Sequence, residues 1–437
     1  MITRLRLPLL ASLAALAFVA ALRAEAPRAF AITNARIVTA AGPVIERGTI
    51  VLRDGLIEAV GANVTAPPDA RVIDGTGRTV YPGLIDMGTT MPVEVRKAET
   101  ASQPSTTEQA ERTKRDAIFR PGFEASEHIR TDAADLTALA KAGITSVLAV
   151  PEGTVFPGRS ALINVVPPAD EPQIGSLADV RDGLLVVRAP VALHVVYTDR
   201  PPGSGYPNSL MGVIAFVRQS FLDAQYAQRA SQAYAAKPAG RERPRSDPGF
   251  TALEAALDRR LPVVLAAQEL RDIHRVLALA AEFSLDPIVS GGLEADQAAA
   301  EIKAASARVI FSLNVPTRPA TLAPDADEPI RVLRRRANAF KVPAALDKAG
   351  VIFAFQSGGL KDPKSFLKHA SNAVKEGLAP DAAVRALTMN AARMAGAADR
   401  IGSLEPGKIA NVIVASGDLF ADATTITHVF VDGRLVR

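Results

Sequence analysis

Thr89, Thr90, Gln268, Glu269, Glu294, Asn314, Gln356 and Ser357 follow or end short apolar runs, where a strand gives way to a loop. Hydroxyls and amides at such places suit hydrogen bonding of a small polar molecule. Glu269 and Glu294 add a further chemistry, because a carboxylate whose pKa is raised by desolvation can act as a general base. The same residues can equally form a polar rim with no chemical role. Histidine is scarce, at five residues, and His194 is the one best placed for a site. It alternates with Leu193 and Val195 on a strand-like run, so its imidazole faces one side of a sheet, as a satisfied interior group or as a ligand contact. His128 follows the first strand of the central region, while His274, His369 and His428 lie on patterns of ordinary structural character. Ser357 lacks a G-x-S-x-G turn and has no histidine assigned beside it, so it does not read as a nucleophile. Cysteine is absent, which excludes disulfides, thiolate metal sites and a cysteine nucleophile.

These side chains meet only if the elements between them build one scaffold. Strand-like runs occupy 143–150, 161–165, 189–197, 261–266, 286–289, 307–313 and 350–355. Helical periodicity fits 131–142, 208–235, 270–283, 295–304, 345–349, 364–376 and 380–389. Strand then helix, repeated in a chain of 437 residues, predicts an α/β fold: a (β/α)8 TIM-like barrel with parallel strands inside and helices outside. Residues 29–81 read as β, with a hairpin turning at Asp54-Gly55, and 404–437 have the same texture, with Asp432-Gly433 as a second turn. The expected organisation is a composite β-sandwich from 29–81 and 404–437, enclosing a barrel domain at 82–403. The strand ends then converge on one mouth, which would receive a small polar molecule. Lys361, in a loop there, could meet an anionic group. Gly203-Ser204-Gly205 reads as a plain turn, and Arg334-Arg335-Arg336 as a solvated helix face.

Arg4 and Arg6 precede an apolar run at 7–22, and small-residue patterns end at Ala24 and Ala26. This predicts a secretory signal peptide over residues 1–24, cleaved at Ala24 or Ala26. The run is shorter than the roughly 20 residues of a membrane span, and no later stretch is apolar enough. The expected protein is exported, periplasmic or extracellular, with no membrane contact after cleavage. Removing Arg4, Arg6 and Arg23 takes the formal net charge from +4 to +1. A near-neutral mature chain gives no reason to expect a nucleic-acid partner.

The run Pro82-Gly83-Leu84-Ile85-Asp86-Met87-Gly88-Thr89-Thr90 resembles the first barrel strand of the amidohydrolase superfamily, which reads roughly P-G-L-I-D-x-H-x-H. Residues 386–392 and the segment Ile401-Gly402-Ser403-Leu404-Glu405-Pro406-Gly407-Lys408-Ile409-Ala410-Asn411 are similar to the sequence that leaves the family's last barrel helix. The resemblance runs from about residue 31 to 437 and is nearest the imidazolonepropionase-like and prolidase-like branch. It implies hydrolysis of carbon–nitrogen bonds other than ordinary peptide bonds, such as those of cyclic or small amides, by a metal held at the strand ends.

Carried over position by position, the family's metal ligands fall on Gly88 and Thr90 of the first strand, Ala266 of the fifth, Gly291 of the sixth and Gly358 of the eighth. Glycine and alanine offer no donor, and a threonine hydroxyl is a poor ligand for the usual ions. The expectation is therefore no metal of the family type and no other cofactor. Two functions remain: a divergent hydrolase working through Glu269, Glu294 or His194, and a non-catalytic relative that binds a small ligand or pairs with an active paralogue. A homodimer is the default assembly.

Overall fold

The N-terminal region builds its sheet around tight turns. β1 (Ala29–Ile37), β2 (Ile45–Arg53) and β3 (Leu56–Gly61) pair antiparallel, and β2 and β3 meet through Asp54 and Gly55, both in the left-handed region at φ 49° and 84°. That is the backbone a two-residue hairpin demands, and glycine adopts it without steric cost. β4 (Arg71–Asp74) and β5 (Thr79–Pro82) each lie parallel to β1. The computed structural model describes residues 29–94, 106–130, 134–165, 179–181, 184–197, 201, 205–244, 247–323, 325–360 and 362–437. The expected signal peptide, Lys361 and Gly203-Ser204 lie outside the described residues.

The chain then enters a mixed α/β region. β6 (Leu84–Thr89) lies parallel to β7 (Ile144–Ala149). β8 (Val155–Arg159) and β9 (Ala161–Asn164) are separated by Ser160 alone. β9 runs antiparallel to β7 and to β11 (Leu184–Arg188), which carries the edge strand β10 (Asp179–Arg181). β8 runs antiparallel to β12 (Leu193–Val196), and from there β13 (Val263–Ala267), β14 (Pro287–Gly291), β15 (Arg308–Ser312) and β16 (Phe353–Gln356) follow in parallel order. The extended segment 155–164 thus belongs to two sheets and stitches them together. Ser160 donates its N–H to the Ala192 carbonyl and accepts from Val191 N–H.

Regular strand–helix alternation holds from β6 to β7 and again from β12 onward, but not between β7 and β12. Between β7 and β12 the chain forms hairpin-like antiparallel pairs where the sequence reading placed successive parallel strands. The physical reason is the short connection. Parallel neighbours need a crossover of a dozen or more residues, and β7, β8 and β9 are too close in sequence to supply one. Helices Thr107–Ile118 and Pro248–Leu257 were not expected, and of Ile330–Asn338 only the helix face carrying Arg334-Arg335-Arg336 was. The last has no buried residue, so it offers no apolar stripe to read.

Both faces of the parallel strands are buried, as helix-covered strands must be. Leu193, Val195, Val263, Leu265, Val289, Val309, Phe311, Phe353 and Phe355 join Ile273, Val276, Phe366 and Ala383 of the surrounding helices in the outer core. Ile85, Leu148, Leu162, Ala192, Val264, Ile288, Ile310 and Ala354 face the other way and pack on one another as an apolar interior. Alternation along each strand separates the two sets.

After the last helices the chain returns to the first sheet. β17 (Val412–Ala415) pairs antiparallel with β5 and with β18 (Ile426–Val431), and β19 (Arg434–Leu435) closes the edge. Strands from both ends of the chain therefore share a single eight-stranded sheet. A buried polar joint fixes it to the α/β region. Asn411 donates through Nδ2 to Ser146 Oγ at 3.1 Å and Asn164 Oδ1 at 2.9 Å, and its Oδ1 accepts from Asp432 N–H at 2.9 Å.

Asn411→Leu removes the amide from a dry joint and withdraws the acceptor of Asp432 N–H, while Ser146 Oγ keeps its bond to Asn164 Oδ1. It should cost about 1–3 kcal/mol for each group left unpaired, read as a lower urea midpoint. Arg36→Ala, which removes only an exposed pair with Glu46, should change stability by less than about 0.5 kcal/mol. Equal effects of the two substitutions would refute the joint's role.

Candidate functional site

The inward-facing residues above the apolar interior follow from register. Leu193 and Val195 face the outer core, so His194 between them faces inward, two residues after the interior Ala192. By the same alternation Ala266 follows Val264, Ser290 follows Ile288, Ser312 follows Ile310 and Gln356 follows Ala354. One step further toward the strand ends lie Gln268, Asn314 and Gly358. The layer over the apolar interior is polar, and none of these groups carries a formal charge at neutral pH so long as His194 stays neutral.

His194 is 5% exposed, and its Nε2 has no hydrogen-bond partner among the described residues. Burial away from water depresses its pKa to about 3. The imidazole is neutral at any physiological pH. Across the same interior, Gln356 Nε2 donates to Ser290 Oγ at 3.0 Å. Ser357, proposed from sequence as a ligand contact, is spent on the backbone: its Oγ donates to the Gly88 carbonyl at 3.3 Å. Thr89 is buried, and its hydroxyl accepts from Met91 N–H, while Thr90 is exposed. Asn314 Nδ2 donates to the Gly358 carbonyl at 2.9 Å, and Gln268 is exposed beside Gly291.

Asp86, which sequence reading passed over, is fully buried. Its Oδ1 accepts from Gly88 N–H at 3.1 Å and Ser357 N–H at 2.8 Å, and Oδ2 has no partner. Desolvation raises its pKa against the lowering effect of those bonds. A carboxylate inside an apolar strand run was the available signal. Ser290 and Ser312 were equally legible as the first polar residues on the inward parity of their strands.

The two candidate bases lie elsewhere. Arg335 forms ion pairs with both Glu269, at 2.9 Å, and Glu294, at 2.8 Å, and Arg331 also pairs with Glu269 at 2.8 Å. Glu294 accepts Leu270 N–H as well, capping the helix Leu270–Glu282. Burial alone would raise the Glu269 pKa, but the two guanidinium groups outweigh it and hold the carboxyl low. A carboxylate so held is a poor proton acceptor. Arg335 is not on a solvated face as expected; its side chain is 16% exposed and ties Ile330–Asn338 across the ends of β13 and β14. Arg336 and Arg318 add pairs to Glu328. Sequence reading missed this because Arg331 lies 62 residues from Glu269 and Arg335 lies 41 residues from Glu294.

The positions that correspond to family ligands carry no strong donor, and three are filled from the side. A Cβ placed on Gly88 would fall on the Gln356 amide, one on Gly358 on the Ser312 hydroxyl, and one on Gly291 would lie 2.5 Å from Gln268 Cδ. Gly291 and Gly358 also have φ of 108° and 59°, which disfavours side chains there. Among the described residues no group of three or more histidine, aspartate or glutamate side chains could hold an ion. Gly88, Gly291 and Gly358 themselves offer no donor to a zinc ion.

Residues 244–436 match the model of the amidohydrolase family. A dihydroorotase of Halalkalibacterium halodurans is 33% identical over 126 residues, which cover 29% of this chain and 22% of that protein. A dihydroorotase of Anaeromyxobacter dehalogenans is 41% identical over 56 residues, 13% of each chain. The chain thus spans less than a quarter of the length of these curated relatives. Among solved structures, an amidohydrolase from Thermotoga maritima MSB8 superposes with a TM-score of 0.74 at 22% identity, covering 93% of this chain and 99% of that one. A prolidase complexed with N-methylphosphonate-L-proline gives 0.54 at 16% identity, with the same coverage. At such identities the likeness is one of fold. Together with the matched family model it bears out the amidohydrolase resemblance of the sequence, and the likeness to the prolidase is one of fold.

Because the folded pKa of His194 lies below its unfolded value, the unfolded chain takes up a proton near pH 6.5 and the folded chain does not. The stability this group contributes is complete above pH 6.5 and falls as pH drops toward 3. Between pH 6.5 and 5, wild type should lose roughly 1–2 kcal/mol more than His194→Gln, with Asp86 acting in the opposite sense in both. Parallel curves of denaturation midpoint against pH for the two proteins would contradict the assignment. In the mouth helix, Arg335→Gln should destabilise more than Arg331→Gln, by about 1–3 kcal/mol against less than about 1 kcal/mol, since only Arg335 is well buried. The reverse order in urea midpoints would overturn this reading of the clamp.

Proposed function

We propose that this protein uses an amidohydrolase-type (β/α)8 barrel, flanked by a β-domain from both termini, to bind a small polar molecule without a hydrolytic metal. The observation that carries the reading is the occupation of the ligand positions. Gln356 and Ser312 stand where side chains on Gly88 and Gly358 would have to go, and Gln268 crowds Gly291. A missing donor alone could be restored by one substitution. A space taken by a neighbour's side chain requires a second change, so the present arrangement is a packed alternative to an ion site.

In this reading each residue has a plain task. Gln356 and Ser290 hold each other across the interior and present amide and hydroxyl groups. Arg335 engages both Glu269 and Glu294, and with Arg331 it holds the Glu269 carboxyl low, which leaves that group unsuited to proton abstraction. Asp86 fixes the backbone of Gly88 and Ser357. The apolar layer beneath excludes water from the floor. Export through residues 1–24 and service beside an active paralogue extend the proposal, motivated by the basic and apolar pattern of that segment.

A second reading has one observation in its favour. The two partial matches to dihydroorotases suggest cyclic amide hydrolysis. It requires an ion or base from groups other than those described above.

Elemental analysis of protein purified without chelator decides between them. The binding reading expects well under one zinc, manganese or iron per chain, and an unchanged melting temperature after EDTA treatment. It also expects no turnover of dihydroorotate or of simple lactams, whatever metal is supplied. A stoichiometric ion whose removal lowers both melting temperature and amide turnover would overturn it.

A further inference from the structure

We infer that the outer face of the helix Leu210–Ala236 carries a second binding site, a cleft that takes a small aromatic carboxylate. Arg229 and Arg241 hold the anion, and Tyr226 and Tyr234 flank its ring. None of the lining residues belongs to the layer at the strand ends, so this site goes beyond the binding function proposed above and is independent of it.

The helix has 27 residues, which makes it about 40 Å long. Its buried residues, Val213, Val217, Ser220, Phe221 and Ala224, share one side and stop at Ala224. Residues 225–236 bury nothing. On the core side Gln228 Nε2 donates to Asp258 Oδ1 at 2.8 Å, which ties this stretch to the end of Pro248–Leu257. The opposite side carries Tyr226, Arg229, Ala230, Ala233 and Tyr234, spaced as one helical face. An aromatic and alanine face of this kind ordinarily turns to a core, yet Tyr226 is 70% exposed. The chain itself supplies the facing wall. Gly240, at φ 76°, and a bond from Arg241 N–H to the Pro238 carbonyl reverse its direction after the helix. Arg241, Glu242 and Pro244 then complete a cleft of about 560 Å³, within the range of small-molecule sites. The described lining runs to Pro244; Arg245 and Ser246 lie outside the described residues.

Charge sets the sign of the ligand. The other charged residues of the helix are engaged: Arg218 pairs with Glu282 at 2.7 Å, and Asp223 accepts from Gln219. Among the described residues Arg229 and Arg241 have no carboxylate partner, and Glu242 has no cationic one. Two guanidinium groups against one carboxylate give the lining a net charge of +1. A single carboxylate neutralises it, and a guanidinium fork matches that group with two parallel bonds. A dianion would leave excess negative charge beside Glu242. The two tyrosines stand about 12 Å apart along the helix axis, and only small side chains, Ala230 and Ala233, lie on the face between them. That floor leaves room for a flat body against aromatic walls. The guanidinium groups are exposed and hydrated, so charge alone gives little affinity. The ring contact must supply the remainder.

The test uses the full-length protein with 13C-labelled tyrosine. The chain has five tyrosines, and the signals of Tyr226 and Tyr234 are assigned by their loss in Tyr226→Leu and Tyr234→Leu. Benzoate, benzamide and acetate are the probes: a ring with a charge, a ring alone and a charge alone. Benzoate should shift both signals saturably and leave the buried Tyr81 unmoved, with benzamide and acetate each at least about tenfold weaker. Arg229→Gln and Arg241→Gln should each weaken benzoate about three- to tenfold. Glu242→Gln should strengthen it about two- to fivefold, because a like charge is gone. Raising salt from about 0.05 M to about 0.5 M should weaken it severalfold, since the ions are exposed. These three positions are exposed and unpaired, so the variants keep the fold. No benzoate response at Tyr226 and Tyr234, or an equal response to benzamide or acetate, would overturn the inference. So would unchanged affinity in either arginine variant, or a Glu242→Gln protein that binds benzoate no better than wild type. Tyrosine signals that move on dilution of the protein alone would assign this face to a second copy of the chain and overturn it as well. The metal content and the groups at the strand ends are untouched by these outcomes, so the two sites stand or fall separately.

Discussion

The carboxyl of Asp86 is the bond on which the rest of the site depends. β6 and β16 face each other without a backbone ladder between them in the sheet pairings. What joins them is this side chain, which reaches from β6 to Ser357 N–H just past the end of β16. The Ser357 hydroxyl returns the contact to the Gly88 carbonyl, and Gly358 N–H adds a longer one at 3.4 Å. Two strand edges that would otherwise be unpaired are held by a group with no access to water, where such bonds are strong and their loss is costly. Gln356, adjacent to Ser357, is thereby held over Gly88.

That placement gives the site its character. With Gln356 lying against Gly88 and bonded to Ser290, the interior is dressed in neutral amide and hydroxyl groups. Its strong charges are displaced to the rim, where they cancel in pairs. Residues 244–436 match the amidohydrolase family model and the structural neighbours share the fold, while neighbouring side chains lie against the glycines of the strand ends. The two statements concern different levels, since a fold constrains where a site can be and leaves its chemistry to particular side chains.

Much of this was legible in the sequence. The Asp54-Gly55 hairpin, the helix over 270–282 and the runs that became β13, β15 and β16 carry strong local signals, and they were read correctly. The inward orientation of His194 also followed from strict alternation. What escaped was non-local. The antiparallel stitch at 155–164 was lost because β8 and β11 are short and neighbour-dependent. The arginine-bearing helix face at 334–336 was read as solvated because Glu269 and Glu294, its partners through Arg335, lie far away in the chain. Glu269 and Glu294 were read as free acids for the same reason. The filling of glycine positions by Gln356, Gln268 and Ser312 is a property of three-dimensional packing, which residue types alone do not reveal.

The shared terminal sheet has a consequence for how the molecule comes into being. β5 waits beside β1 with its other edge open until β17, some 330 residues later, is available to cover it. The strands of 29–82 are therefore an unfinished template until 412–415 are in place. Closing the sheet is what brings Asn411 to its joint. A chain truncated shortly before Val412 would have its helices and most of its interior, but it would leave the nascent sheet permanently open and exposed to other molecules.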